Sequence, residues 1–262
     1  MPFVEHDGAR IHYRDEGAGF PVVLHTGGAG NGTMWDGAGY TKGLAGFRLI
    51  VLDHRGRGRS SRVEGIEGHH PSVYVADVAA VADAAGVGAF GFVGYSMGAS
   101  IGYLLAATHR DRVAALISIG GAADDPGEPD DPTGLIALLE AGGSPALSHA
   151  IEADEEMALP EWLRRNFDDT DAAQFILSLQ AWAAAGDSTW DDLTRIACPA
   201  ALVAGSAEAP PGSLERMSAA IPGGAVVARI EGRGHVGAFL DSEAVLRVAL
   251  PVLLAGRERA PR

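Results

Sequence analysis

Apolar residues gather along this chain in six short runs: Val22–His25, Arg48–Asp53, Phe90–Gly94, Val113–Ile119, Ala200–Ala204 and Ala225–Ile230. Near-continuous apolar runs of this length predict strands of a parallel sheet covered on both faces. The opening stretch, Phe3–Arg14, alternates polar and apolar residues instead and predicts an antiparallel hairpin turning at Asp7-Gly8. Helical spacing fills the intervals. Val75, Val78, Ala79, Ala82 and Ala85 repeat at helical period behind a cap at Ser72, as do Ile101, Leu104, Leu105 and Thr108. A last helix, capped by Asp241 or Ser242, carries Val245, Leu246 and Ala249, with Pro251 set to kink or end it. Alternating strands and helices predict an α/β fold, a doubly wound and mostly parallel sheet.

One segment interrupts the alternation. From Asp124 to Trp190 no run reads as a strand. The segment opens on an acidic, Pro-rich piece, Asp124–Pro132, followed by helical patterns at Leu135–Glu140, Pro160–Phe167 and Ala172–Ala184. It is too long for a single crossover connection. The expectation is a core of residues 1–123 and 191–262 with a helical cap inserted at 124–190.

The run Phe90-Gly91-Phe92-Val93-Gly94-Tyr95-Ser96-Met97-Gly98-Ala99-Ser100 holds the strongest chemical signal. An apolar strand leads into Gly-x-Ser-x-Gly, and a helical pattern follows. A serine in so tight a strand-to-helix turn has its hydroxyl pushed outward, and residues two before and two after come close enough that only glycine fits. The helix that follows aims free N–H groups and the positive end of its dipole at the serine.

With these residues in view the sequence resembles the α/β-hydrolase family along nearly its whole length. The resemblance implies that Ser96 is the nucleophile. Val22-Val23-Leu24-His25-Thr26-Gly27-Gly28-Ala29-Gly30 resembles the family's His-Gly loop, which with the residue after the nucleophile builds an oxyanion hole. Carried over, the donors are the N–H groups of Met97 and Gly27, with Gly28 next in line. Thr26 stands where the family usually has Gly, and His25 takes a packing and hydrogen-bonding role. Asp53-His54-Arg55-Gly56-Arg57-Gly58-Arg59-Ser60 resembles a turn that is mainly structural in the family. His235, which follows the last strand through Glu231-Gly232-Arg233-Gly234 and precedes the last helix, matches the family's base. Glu208, after the Ala200–Ala204 strand, matches its acid and completes the order Ser, acid, His. Asp124 or Asp125, after the Val113–Ile119 strand, is the rival acid.

These residues imply two-step acyl transfer on an ester, lactone or related acyl bond, with no metal and no organic cofactor. A C–C bond hydrolase or cofactor-free haloperoxidase would use the same triad, and a non-catalytic binding member of the fold is the alternative of another class. Expected pocket residues are Gly28, Met34, Trp35 and Tyr95 beside the motifs, and Trp162 and Trp182 from the cap, favouring a largely apolar small-molecule substrate. His69-His70 reads as a polar loop.

Composition narrows the partners. The 262 residues carry a net charge of −14, which disfavours nucleic acid and anionic lipid as partners. Cys198 is the single cysteine, so no intrachain disulfide forms. The opening residues lack the apolar core of a signal peptide and no run is long enough for a membrane span, so cytoplasmic location is the expectation. Nothing in the sequence fixes an oligomeric state.

Overall fold

The computed structural model describes residues 2–121, 131–186 and 189–260. Eight strands form one sheet: β1 (Phe3–His6), β2 (Ala9–Gly17), β3 (Pro21–His25), β4 (Arg48–Asp53), β5 (Phe90–Tyr95), β6 (Val113–Ile119), β7 (Ala200–Gly205) and β8 (Val226–Ile230). Their order across the sheet is β1-β2-β4-β3-β5-β6-β7-β8. β1 pairs antiparallel with β2 and β2 with β4; every other pairing is parallel. Asp7 and Gly8 have φ of 43° and 71°, the paired positive values a two-residue hairpin turn demands.

The helices are α1 (Met34–Gly37), α2 (Tyr40–Gly43), α3 (Pro71–Ala84), α4 (Met97–Thr108), α5 (Thr133–Asp154), α6 (Glu161–Asp168), α7 (Ala172–Ala185), α8 (Thr189–Leu193), α9 (Ser213–Ala220), α10 (His235–Leu240) and α11 (Ser242–Arg259). Alternate residues of each central strand enter opposite cores. Val22, Leu24, Leu49, Val51, Ile117 and Val203 pack with α1, α2, α10 and α11. Val23, Ile50, Leu52, Leu116 and Leu202 pack with α3, α4, α8 and α9. That double burial is why the strands read as unbroken apolar runs.

Two helix ends differ from expectation. His70, not Ser72, caps α3, its ring accepting from the Ser72 N–H, with Pro71 in the first turn where a missing N–H is harmless. Pro251 does not end α11, which runs on to Arg259 from an Asp241 cap. Beyond the proline, Val252 and Leu253 are buried and Gly256 sits so close that an added Cβ would lie 2.5 Å from the Ala114 carbonyl oxygen. This burial offsets the roughly 3 kcal/mol that an interior proline costs.

Between β6 and β7 the described residues form α5, kinked at Gly143 (φ 65°), α6, α7 and α8, with no strand among them. α6 and α7 lie over the loop after β3. The Gly30 N–H donates to Thr170 Oγ1 (2.8 Å) and the Asn31 N–H to Asn166 Oδ1 (2.9 Å). α8 crosses the expected boundary at 190 and packs instead against α4 beneath the sheet. No helix among the described residues is long and apolar enough to cross a membrane.

Candidate active site

β3 pairs with β4 on one side and β5 on the other, so the chain reverses its winding direction there. In such sheets the crevice beyond the strands' carboxyl ends is where ligands bind. His25 ends β3, and Tyr95 ends β5 just before Ser96. Ser96 holds φ 55° and ψ −123°, outside the regions L-residues favour, and α4 begins one residue later. Two glycines make the bend possible. A Cβ on Gly94 would lie 2.2 Å from the Gly98 carbonyl oxygen, and one on Gly98 would lie 2.4 Å from the His25 carbonyl oxygen. Ser96 is tied to the next strand by its N–H, which donates to the Ile119 carbonyl at 2.8 Å.

The loop after β3 presses on this bend. A Cβ on Gly27 would lie 3.0 Å from Ser96 Cβ and 3.4 Å from its Oγ. Among the described residues, the N–H groups of Gly27, Gly28 and Met97 donate to no protein acceptor. Free donors at the start of a helix and on an adjoining glycine loop suit stabilisation of a developing oxyanion.

His235 and Glu208 meet as expected, with His235 Nδ1 donating to Glu208 Oε1 at 2.5 Å. The ring rests on Gly120, just beyond β6, where an added Cβ would lie 2.9 Å from its Cε1 and Nδ1. Gly120 also has φ 61°, so position 120 is doubly closed to other residues. Tyr95 stacks on the ring (centroids 5.0 Å apart), its hydroxyl donating to the His235 carbonyl at 3.5 Å. Ser96 and His235 thus flank the adjacent ends of β5 and β6. The Ser96 hydroxyl and the His235 ring are not hydrogen-bonded in this structure; such pairs commonly tighten only around substrate.

The fold agrees with the comparisons. A family model described as alpha/beta hydrolase fold matches residues 21–144. The chain superposes on the enol-lactonase from Burkholderia xenovorans LB400 with a TM-score of 0.83 at 23% identity, covering 97% of this chain and 100% of that one. The chain has the alpha/beta hydrolase fold. Among curated relatives, a non-heme haloperoxidase of Rhodococcus erythropolis is 38% identical over 122 residues, 46% of this chain and 44% of that protein. The 2-hydroxy-6-oxononadienedioate/2-hydroxy-6-oxononatrienedioate hydrolase of Burkholderia vietnamiensis (strain G4 / LMG 22486) is 32% identical over 139 residues, 50% of this chain and 47% of that protein. The chain spans about half the length of the curated relatives it matches.

Several features of the site were not expected from the sequence. His235 is the first residue of α10 rather than part of a loop. The N-terminus of that helix is capped from a distant segment: Glu155, just past α5, accepts the N–H groups of Val236 (2.6 Å) and Gly237 (2.8 Å). A carboxylate there satisfies two free donors and faces the positive dipole end. Glu155→Ala is expected to lower stability by roughly 2 kcal/mol, read from the urea midpoint. An unchanged midpoint would deny the cap.

The expected pocket residues separate. Phe175 of α7 covers Gly28, where an added Cβ would lie 2.3 Å from its ring. Met34 and Trp35 are fully buried, and Trp35 packs edge-on to Tyr40 and Phe239. Trp35 thereby backs the Phe239–Tyr95–His235 stack rather than facing the crevice directly. Trp162 lies over Gly37 of α1, and Trp182 packs against the core on the opposite side of the sheet. Both therefore serve as joints between helices and core in this structure. The rival acids Asp124 and Asp125 lie outside the described residues.

Beneath the site lies a layer of buried imidazoles. His25 and His54 stack with centroids 5.1 Å apart, and His69 Nδ1 bonds the Tyr74 hydroxyl at 2.7 Å, so His69 is core rather than loop. Burial holds the pKa of His25 and of His69 down to about 4, and burial with the nearby Arg57 charge holds that of His54 well below the usual value. The unfolded chain binds the His25 and His69 protons near pH 6.5 and the native one only near pH 4. Stability from this source is therefore complete above about pH 6.5 and lost as the pH falls towards 4. His25 alone contributes roughly 3 kcal/mol to that loss. Urea midpoints should decline between pH 7 and pH 4.5; a flat profile would contradict neutral burial.

Proposed function

We propose that this protein is a serine hydrolase that cleaves an ester, lactone or related acyl bond by two-step acyl transfer. The observation that carries the reading is the constrained Ser96 bend, with free Gly27 and Met97 N–H groups beside it and the His235–Glu208 pair across the neighbouring strand end. In the first step Ser96 Oγ attacks the carbonyl carbon and its proton passes to His235 Nε2. The carbonyl oxygen becomes an oxyanion held by the Gly27 and Met97 N–H groups, each worth roughly 3 kcal/mol in the transition state. The tetrahedral centre collapses, the leaving group takes the proton from His235, and an acyl-Ser96 ester remains. Water then attacks that ester, gives its proton to His235, and the acid leaves as Ser96 regains its hydrogen. Glu208 keeps the His235 Nδ1–H tautomer and stabilises the imidazolium.

The helices α5–α7 act in this reading as a cap over the crevice, with Phe175 and Tyr95 favouring an apolar substrate. The test is a hydrolysis panel of p-nitrophenyl esters of graded chain length, with lactones, amides and vinylogous 1,5-diketones alongside. Ester or lactone turnover supports the reading; cleavage of the diketones alone would move it to C–C bond hydrolysis, and no turnover by folded protein would favour a binding protein. Within the triad, Glu208→Gln is expected to lower kcat roughly 10³–10⁴-fold with the melting temperature preserved. Full activity in that variant would transfer the acid role to Asp124 or Asp125.

A further inference from the structure

Three successive carbonyl groups of the loop after β3 are held by buried side chains. His25 Nδ1 donates to the Thr26 carbonyl at 2.8 Å, His54 Nε2 to the Gly27 carbonyl at 2.9 Å, and Arg57 Nε to the Gly28 carbonyl at 2.6 Å. A carbonyl only accepts, so each ring nitrogen here is the protonated one. In a trans peptide the C=O and N–H point in opposite directions. Holding the Thr26 carbonyl therefore fixes the Gly27 N–H, holding the Gly27 carbonyl fixes the Gly28 N–H, and holding the Gly28 carbonyl fixes the Ala29 N–H.

His54 and Arg57 are not part of this loop. They come from the turn after β4, His54 fully buried and Arg57 only 2% exposed. Arg57 has no carboxylate ion-pair partner among the described residues. Its other hydrogen bonds go to the Gly56 carbonyl (3.1 Å) and Ser178 Oγ (3.3 Å), and its guanidinium lies 5.2 Å from the centroid of the Phe175 ring. A buried cation left without a carboxylate is costly, and here its compensation is the loop carbonyl and α7.

We propose that His54 and Arg57 are positioning residues that keep the Gly27 and Gly28 carbonyls turned away from Ser96, so that the loop presents N–H groups and not carbonyl oxygens to the reaction centre. Glycine imposes little preference on its own peptide planes. Without these donors a flip would set a carbonyl lone pair where the oxyanion must form, and the site would gain a repulsion. The assignment rests on the hydrolase reading for its catalytic consequence, but the loop orientation itself does not.

The experiment compares His54→Leu, which removes the donor, with His54→Gln, which keeps an N–H, and adds Arg57→Met. Amide resonances and hydrogen exchange of Gly27, Gly28 and Ala29 are followed beside kcat and KM for a p-nitrophenyl ester. His54→Leu should shift the Gly28 amide, and Arg57→Met the Ala29 amide. Each should lower kcat about 10–100-fold with KM within about twofold, since a carbonyl oxygen turned toward the developing oxyanion opposes the charge the site must stabilise. His54→Gln should recover most of both signals. Folded His54→Leu and Arg57→Met proteins with unmoved loop amides and wild-type kcat would overturn the proposal. Should His54→Leu fail to fold, Arg57→Met alone decides by the same criteria. If the unmodified protein hydrolyses nothing, the hydrolase reading falls while the amide signals still decide whether these two side chains orient the loop.

Discussion

Ser96→Ala is expected to lower ester turnover by roughly 10⁶-fold while the protein melts within a few degrees of the unmodified chain. The first half follows from the chemistry: without Oγ no acyl-enzyme forms, and His235 and Glu208 are left with nothing to activate but water. What remains is the contribution of the oxyanion donors and of binding, on the order of 10³-fold over solution. The second half follows from the structure. Among the described residues the Ser96 hydroxyl makes no hydrogen bond, and its fold contacts are made by backbone, the N–H to Ile119 and the carbonyl to the Ala99 N–H at 2.8 Å. Alanine bears the φ of 55° no worse than serine does. A Ser96→Ala protein that retained turnover, or lost it only by unfolding, would remove Ser96 from the mechanism.

The second large effect concerns the bend itself. Gly94→Ala is expected to lower stability by roughly 3–4 kcal/mol and the melting temperature by roughly 10 °C. The added Cβ would meet Gly98 O at 2.2 Å, Gly98 C at 2.5 Å and Ala99 N at 2.7 Å. All three are backbone atoms of the first turn of α4, so no side chain can rotate away; helix and strand must separate. β5 is hydrogen-bonded to β3 and β6 and cannot yield, so α4 moves and carries the Met97 N–H with it. Turnover at a temperature where the variant is still folded should fall at least about 100-fold, the penalty for roughly 1 Å of misplacement. Gly46→Ala is the matched control, since its added Cβ meets nothing within 4 Å. Equal behaviour of the two variants would contradict the close-packed bend.

The sequence disclosed those features that depend on neighbours in the chain. Val113–Ile119 and Arg48–Asp53 read as strands because residues facing either core had to be apolar. Ser96 was legible because Gly94 and Gly98 register a steric constraint that acts within five residues. Glu208 was read from its position after the Ala200–Ala204 strand, which resembles the family's acid position and gives the order Ser96, Glu208, His235. What stayed hidden depends on contacts made across the fold. The cap that Glu155 places on α10 joins residues 81 and 82 positions apart, and no local pattern encodes it. Gly120 follows a strand like any other glycine until the His235 ring is set upon it. Met34 and Trp35 stood near the motifs in sequence, but the short helices α1 and α2 turn them into the core, where apolar burial outweighs any demand from the crevice. His54 and Arg57 looked like members of a structural turn, and only the coordinates show that they reach the Gly27 and Gly28 carbonyls.

The central claim is that Ser96 is a nucleophile activated by His235, and covalent capture with a fluorophosphonate tests it most directly. Intact-mass and peptide analysis of the unmodified protein should find one phosphonyl adduct, on the peptide carrying Ser96. Labelling should be absent from Ser96→Ala and slowed by orders of magnitude in His235→Ala. Folded protein that takes up no label, carries it on another residue, or is labelled as readily without Ser96 would contradict the account.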